Sequence, residues 1–91
     1  MSFNNPLVNI RITLDKRDVK GKLVNVIMLL TRANVLTYVE GMGRAPVNGN
    51  KIVLDLTPPK GTTNNLFWAE QVVKRCEGLA LELEIVRKGD L

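Results

Sequence analysis

The feature that most constrains the fold is a strict alternation of apolar and polar side chains over residues 7–15. The alternating residues are Val8, Ile10, Ile12 and Leu14 on one side and Asn9, Arg11, Thr13 and Asp15 on the other. A period of two over this length predicts a β-strand with one buried face. A second alternation, through Leu79, Leu81, Leu83 and Ile85, predicts another strand near the end of the sequence. The chain must therefore build a sheet and cover one face of it.

Two stretches have helical spacing instead. Leu23, Val26, Ile27 and Leu30 stand at i, i+3, i+4 and i+7, which predicts a helix over residues 21–33. Thr62-Thr63-Asn64 offers capping side chains for a second helix over residues 64–77, and Gly78 suits its C-terminal cap. The buried stripe of this second helix is expected to be Leu66, Ala69, Val73 and Cys76.

The remaining pattern predicts two more strands. Residues 35–40 are rich in β-branched and aromatic side chains, and Gly41-Met42-Gly43 follows them. Asn48-Gly49 is a strong hairpin signal, so residues 51–57 should form a third strand antiparallel to the second. The resulting order is β-α-β-β-α-β, a single α+β domain over residues 1–91 with flexible ends at 1–6 and 88–91.

The leading topology for this order is a two-layer sandwich of the ferredoxin-like type. The alternative treats residues 41–57 as a long excursion within a β-α-β-α-β layout. In both layouts a crossover helix joins the first two strands, so these strands run parallel. The loops that follow them should therefore be neighbours in space.

Composition excludes several kinds of chemistry. The 91 residues include no histidine and one cysteine, so a Ser–His or Cys–His nucleophile and a Cys/His zinc site are excluded. Cys76 falls within the second predicted helix and is interpreted as a small buried hydrophobic residue. We expect no metal, no cofactor and no enzymatic activity. The longest apolar run, residues 26–30, is too short to span a membrane, and the N-terminus lacks the pattern of a signal peptide.

Basic residues gather where the first two strands are expected to end. This predicted basic edge has six basic and three acidic side chains, a local net charge of +3: Lys16, Arg17, Lys20, Lys22, Arg44 and Lys51 against Asp15, Asp18 and Glu40. The expected helix N-terminus at Gly21-Lys22 points from the same edge, and phosphate suits this combination. The alternative is that these residues merely solvate the surface.

The open face of the sheet has a different character. Arg11, Asp55, Glu82 and Glu84 point there, and the first and third strands carry no aromatic residue. An RNA-recognition motif stacks bases on aromatic side chains at such positions, so readout on the sheet face is not expected. Arg11 is interpreted as a cross-strand partner of an acidic neighbour rather than as a ligand contact.

Two segments resemble the Alba-type family of nucleic-acid-binding proteins. They are Lys22-Leu23-Val24-Asn25-Val26-Ile27-Met28-Leu29-Leu30 and Tyr38-Val39-Glu40-Gly41-Met42-Gly43-Arg44-Ala45. The resemblance covers about residues 8–45, and residues 64–85 are similar to the family's second helix and third strand. The chain departs from the family in having an extra hairpin strand after Arg44 and no basic arm after the second helix. The layout also resembles the C-terminal domain of bacterial translation initiation factor three.

The Alba resemblance implies that Lys20, Lys22 and Arg44 contact DNA or RNA and that the protein is a homodimer. It implies a cytoplasmic, nucleoid- or RNA-associated protein of the chromatin type. Because no base-reading motif is visible, we expect contact mainly through the phosphate backbone.

Two other classes of function remain open. Trp68, Val72 and Arg75 stand at i, i+4 and i+7, off the expected buried stripe, and predict a dimer interface in a protein-interaction or assembly module that binds no nucleic acid. A phosphatase of the acylphosphatase type would use Arg17 to hold phosphate and Asn25 to position water. That enzyme's glycine-rich first loop is missing, and Asp15 and Asp18 would repel the substrate.

Overall fold

The computed structural model describes residues 5–45, 49–80 and 82–87. Four strands and two helices appear in the order β1 (Val8–Asp15), α1 (Val26–Arg32), β2 (Gly41–Ala45), β3 (Lys51–Thr57), α2 (Asn65–Cys76) and β4 (Glu82–Arg87). The strands form one sheet in the order β2-β3-β1-β4, and every neighbouring pair is antiparallel. The α+β fold expected from the sequence is therefore confirmed.

Strand β1 lies inside the sheet, between β3 and β4. Its side chains Val8, Ile10, Ile12 and Leu14 are at most 1% exposed, as the alternation predicted. Ile10 lies opposite Leu56 and Ile12 opposite Leu54, so β1 and β3 present one continuous apolar surface. The α2 side chains Trp68, Ala69, Val72 and Cys76 belong to the same core cluster.

The predicted direction of the first two strands is confirmed. Both β1 and β2 run antiparallel to β3, which lies between them, so β1 and β2 point the same way. The alternative layout is wrong, because residues 41–45 and 51–57 are both strands of this sheet.

The predicted second strand over residues 35–40 is wrong. Leu36–Tyr38 forms a short 3-10 helix, and the strand follows it at Gly41–Ala45. Asn34 ends the helical path with a φ of 58°, and Val35 then turns into the core, where it is 0% exposed. Val35 is buried in the core without belonging to a strand, so its β-branched side chain did not indicate strand structure here.

Helix α1 is shorter than predicted and starts later. Its N-cap is Asn25, whose Oδ1 accepts a hydrogen bond from the Met28 N–H at 3.1 Å. The expected helix start at Gly21-Lys22 is therefore wrong. Helix α2 matches its prediction closely, with Asn64 as N-cap accepting from the Phe67 N–H at 3.0 Å.

The predicted buried face of α2 needs correction. Trp68 and Val72, assigned to a dimer interface, are 6% and 0% exposed and belong to the monomer core, whereas Leu66 is 37% exposed. The indole Nε1–H of Trp68 donates to the Tyr38 carbonyl. Arg75 lies 4.4 Å from the centre of the Tyr38 ring and donates to its hydroxyl at 3.2 Å. The three residues tie α2 to the sheet and the 3-10 helix and form no free surface patch.

Cys76 is buried in this core, as expected from its position in the helix. Burial raises the pKa of its thiol to about 11, because the thiolate would lose its hydration. The thiol therefore stays protonated at neutral pH and acts as a small apolar group.

The two ends of the domain lie partly beyond what the structure describes. Asn5 and Pro6, within the N-terminal segment predicted to be flexible, are bonded to the α2 region: the Asn5 side chain donates to Thr62 O, and Asn65 Nδ2 donates to Pro6 O at 2.9 Å. Residues 1–4 and 88–91 lie outside the described residues. Within the described ranges, no helix has the length and apolar character that crossing a membrane requires.

Replacing Trp68 tests its assignment to the core. Trp68→Ala should lower the free energy of unfolding by about 3–5 kcal/mol, because a large buried side chain leaves a cavity. The neighbouring aromatic residue is a matched control: Phe67 is 59% exposed, and Phe67→Ala should cost less than about 1 kcal/mol. Urea denaturation of both variants measures the difference. Equal destabilisation would contradict the core assignment.

Candidate nucleic-acid interface

Three segments bring basic side chains to one end of the sheet. Asp15, the last residue of β1, lies opposite Lys51, the first residue of β3, and Lys16 donates its N–H to Asn50 O at 2.6 Å. Arg44 lies one residue before the end of β2, opposite Leu54. Lys16, Lys51 and Arg44 therefore lie at the end of the sheet where the sequence analysis placed them.

Arg44 is on the helix side of the sheet, because its register partner Leu54 is buried there. It lines an open concavity of about 390 Å³ together with Lys16, which directly follows β1. The remaining wall is largely apolar and includes Leu23, Ile27 and Ile52. Lys16 and Arg44 thus come from distant parts of the sequence and border the same concavity.

Glu40 is not part of this edge. Its N–H donates to Thr57 O at 2.9 Å, which places it at the opposite end of β3 from Lys51. Its predicted place on the basic edge followed from assigning the second strand to residues 35–40, and that assignment is wrong. Without Glu40, the edge has six basic and two acidic side chains, a local net charge of +4.

Residues 16–24 form a short hairpin, which we call the basic hairpin. Arg17 and Leu23 form an antiparallel bridge, Asp18 N–H donates to Lys22 O at 2.9 Å, and Val24 N–H donates to Lys16 O at 2.7 Å. The turn closes with Gly21 N–H donating to Asp18 O at 2.9 Å. Gly21 has a φ of 78°, the conformation that a three-residue hairpin loop with a glycine bulge requires.

Asp18 organises the tip of the basic hairpin. Its Oδ1 accepts the N–H of Lys20 at 2.8 Å and the N–H of Lys22 at 2.9 Å. The Arg17 guanidinium spans the turn and donates to Gly21 O at 2.6 Å. Asp15 in turn accepts the Arg17 N–H at 2.9 Å. Both carboxylates of this edge therefore bond backbone amides.

The basic side chains of the edge have no carboxylate partner in the described part of the chain. Among the described residues, an ion pair joins Arg11 and Asp55 on the open face of the sheet, where Arg11 Nε lies 2.9 Å from Asp55 Oδ1. The ammonium groups of Lys20 and Lys22 and the guanidinium of Arg44 form no ion pair with any described residue. These cations are available to a ligand of opposite charge.

A local sequence signal could have revealed the basic hairpin. Asp18-Val19-Lys20-Gly21 places Asp at the first position of a turn and Gly at the fourth, a pattern that favours a tight turn ending in a positive φ. These residues were expected to form a polar loop that leads into a helix, and they form a hairpin instead. The helical spacing of Leu23 with Val26, Ile27 and Leu30 hid the turn.

The open face carries the predicted cross-strand pair. Arg11 lies opposite Asp55, and its Nε and Nη2 approach the two carboxylate oxygens at 2.9 and 3.4 Å. The hydrogen bond and charge of Asp55 raise the pKa of Arg11, with a smaller contribution from Glu84. The interpretation of Arg11 as a structural partner is confirmed.

The residues that a phosphatase would use have structural partners. The Arg17 guanidinium bonds Gly21 O, and the Asn25 side chain caps α1. Among the described residues, no three Asp, Glu or Cys side chains are grouped so that they could hold a metal ion. Comparisons with protein-family models, curated proteins and solved structures gave no significant match to this chain.

Removing the Asp18 carboxylate tests its role in the hairpin. Asp18→Ala should speed hydrogen exchange of the Lys20 and Lys22 amides by about tenfold, because each amide loses a charged acceptor. The control Glu70→Ala removes the same charge from an exposed position on α2 and should leave both amides unchanged. Unchanged exchange in Asp18→Ala would show that the backbone alone holds the turn.

Proposed function

We propose that this protein binds nucleic acid through its basic edge and that the main contacts are to phosphates. The observation that carries the proposal is the set of basic side chains without carboxylate partners on an ordered support. Lys20 and Lys22 stand on the basic hairpin, and Lys16 and Arg44 border one concavity beside it. Phosphate oxygens would complete the charge pairing that this end of the described fold leaves open.

Order in the hairpin supports binding energetically. A flexible lysine-rich loop would lose conformational entropy when it docks on a polyanion. In the basic hairpin, the bonds to Asp18 already fix the backbone of Lys20 and Lys22. Binding then has to order only the side chains.

The proposal extends to a ferredoxin-like topology and to the resemblance to the Alba-type family. The strand order β2-β3-β1-β4 with helices after β1 and β3 supports a ferredoxin-like arrangement. The Alba resemblance over residues 8–45 agrees with contacts from Lys20, Lys22 and Arg44. One difference is that Gly43-Arg44-Ala45 lies within β2 and does not follow it.

Salt dependence of binding tests the proposed contacts. Each phosphate contact adds about 0.9 to the magnitude of the slope of log K against log salt concentration on duplex DNA. Lys22→Ala and Arg44→Ala should therefore each reduce that magnitude by about 0.9 and weaken binding to all sequences alike. Fluorescence anisotropy with labelled duplexes at several salt concentrations measures both quantities. Duplex RNA and single strands, measured in parallel, distinguish DNA from RNA.

Matched controls lie away from the edge. Lys60 follows β3 at the opposite end of the sheet and Lys74 lies on α2, and both are exposed. Lys60→Ala and Lys74→Ala remove the same charge and should leave the slope unchanged. All variants must keep the wild-type thermal midpoint. If the controls reduce the slope and Lys22→Ala does not, the edge assignment is wrong.

Exposed apolar side chains near α1 favour a second candidate function, assembly into a homodimer. Leu23, Ile27 and Met28 are 74%, 44% and 47% exposed, and they lie within six residues of one another. A 91-residue domain buries a limited share of its apolar surface by itself. A second copy would cover these side chains, in place of the Trp68 patch that the core occupies. Because Leu23 and Ile27 also line the concavity bordered by Lys16 and Arg44, this assembly is an alternative to phosphate binding in that concavity.

Solution mass tests the homodimer. The wild type at micromolar concentration should have twice the chain mass of 10.1 kDa, and Ile27→Glu should return it to the monomer. Leu66→Glu introduces the same charge at a partly exposed site on α2 and should leave the dimer intact. Sedimentation equilibrium measures all three proteins. A monomeric wild type contradicts the assembly proposal and leaves nucleic-acid binding open.

A further inference from the structure

The tip of the basic hairpin is an apolar side chain. Val19 follows Asp18 in the turn, and its relative exposure is 103%, the highest among the large hydrophobic residues that the structure describes. No packing in the described fold accounts for it. A single exposed valine is ordinary on a protein surface. Its place here differs, because it lies at the tip of an ordered hairpin that also carries Arg17, Lys20 and Lys22.

The surroundings of Val19 favour an anionic partner. Arg17, Lys20 and Lys22 flank the tip, while the nearest carboxylate, that of Asp18, accepts two backbone amides. A protein partner with an apolar pocket would need acidic residues around that pocket. A duplex groove offers the same combination, since phosphates line its rims and base edges form its floor.

The dimensions of the hairpin select one groove. It is a two-stranded ribbon whose backbones lie about 4.8 Å apart, and the side chains on both sides add to that width. The major groove of B-form DNA, about 12 Å wide, admits such a ribbon, whereas the minor groove, about 6 Å wide, does not. The major groove of duplex RNA is too narrow and deep for side chains to read.

We propose that the basic hairpin enters the major groove of duplex DNA and that Val19 contacts the floor of the groove there. This inference rests on the proposed nucleic-acid function and adds its target, B-form DNA, and its mode of entry. The apolar group on the floor of the major groove is the thymine methyl. Val19 therefore gives the protein a preference for thymine-containing duplexes over otherwise identical ones that contain deoxyuridine.

A coupling experiment tests this contact. Alternating A·T duplexes are compared with the same duplexes in which deoxyuridine replaces thymidine, so that one methyl group is removed per pair. Wild-type protein should bind the thymine form about fourfold more tightly, the effect of one buried methyl-sized group. Val19→Ala should bind the thymine form about four- to fivefold more weakly than wild type and lose the preference, with an unchanged salt slope because no charge changes.

Two control variants isolate the effect of Val19. Leu7 is an exposed aliphatic residue just before β1, at the other end of the sheet, and Leu7→Ala should keep both the affinity and the fourfold preference. Lys22→Ala should bind both duplexes more weakly and keep their ratio. Any difference between the two duplexes that arises from DNA flexibility would appear equally in all variants.

Groove chemistry gives a second, independent measurement. Dimethyl sulfate methylates guanine N7 in the major groove and adenine N3 in the minor groove. Saturating protein should reduce modification of N7 and leave that of N3 unchanged on a short mixed-sequence duplex.

Each outcome separates the two proposals. Equal binding of both duplexes by wild type, a preference that Val19→Ala retains, or protection of N3 in place of N7 overturns the groove contact. In each of these cases a reduced salt slope in Lys22→Ala keeps the proposed function. If Lys22→Ala and Arg44→Ala leave the slope unchanged, the proposed function fails and the groove contact fails with it.

Discussion

The structure depends on one strand having partners on both sides and a core on one face. Strand β1 pairs with β3 and β4, and its four inward side chains are almost completely buried. Each of these inward residues contributes about 1.5–3 kcal/mol by burial. The pairing fixes the direction of β3 and β4, and through β3 that of β2. Helix α2 then has one apolar surface to cover, and Trp68 and Val72 cover it.

The direction of β1 also decides where the charge collects. Because β1 and β2 run parallel on either side of β3, their C-terminal ends meet at the start of β3. Lys16, Arg44 and Lys51 come from separate parts of the sequence and are brought together by this topology. The basic hairpin continues from the same end. The charge of the edge is thus a consequence of strand order.

Asp18 gives the edge a defined shape. A carboxylate within a basic loop would ordinarily weaken binding of an anion, which is how the sequence analysis treated it. Here the carboxylate accepts two backbone amides and closes the turn, so its charge serves the fold of the hairpin. In the same arrangement the side chains of Lys20 and Lys22 have no carboxylate partner among the described residues, and Val19 lies at the tip. One acidic residue therefore orders the cations around it.

The sequence by itself determined the elements whose signals are periodic and local. The alternation of β1, the span of β3 and the Asn64 cap of α2 all follow from contacts within a few residues or from burial of one face. The turn predicted at Asn48-Gly49 lies partly outside the described residues. An acidic cross-strand partner for Arg11 followed from the alternation, and the structure selected Asp55 for that role. The residues of the edge could be selected because loops after parallel strands must meet, and Glu40 was the one placed there wrongly.

Tertiary structure alone decided the rest. Residues 35–40 have high β-propensity, yet burial of Val35 and the hydrogen bond from Trp68 to the Tyr38 carbonyl favour a 3-10 helix at Leu36–Tyr38. Gly41–Ala45 has poor β-propensity and forms a strand because β3 offers it a row of unpaired backbone groups. The buried face of α2 was set by where β1 lies beneath it, since leucine, valine and tryptophan fit either of two adjacent helical stripes. Where local sequence preferences for two conformations or two buried faces are nearly equal, the packing partner in the folded structure determines which one forms.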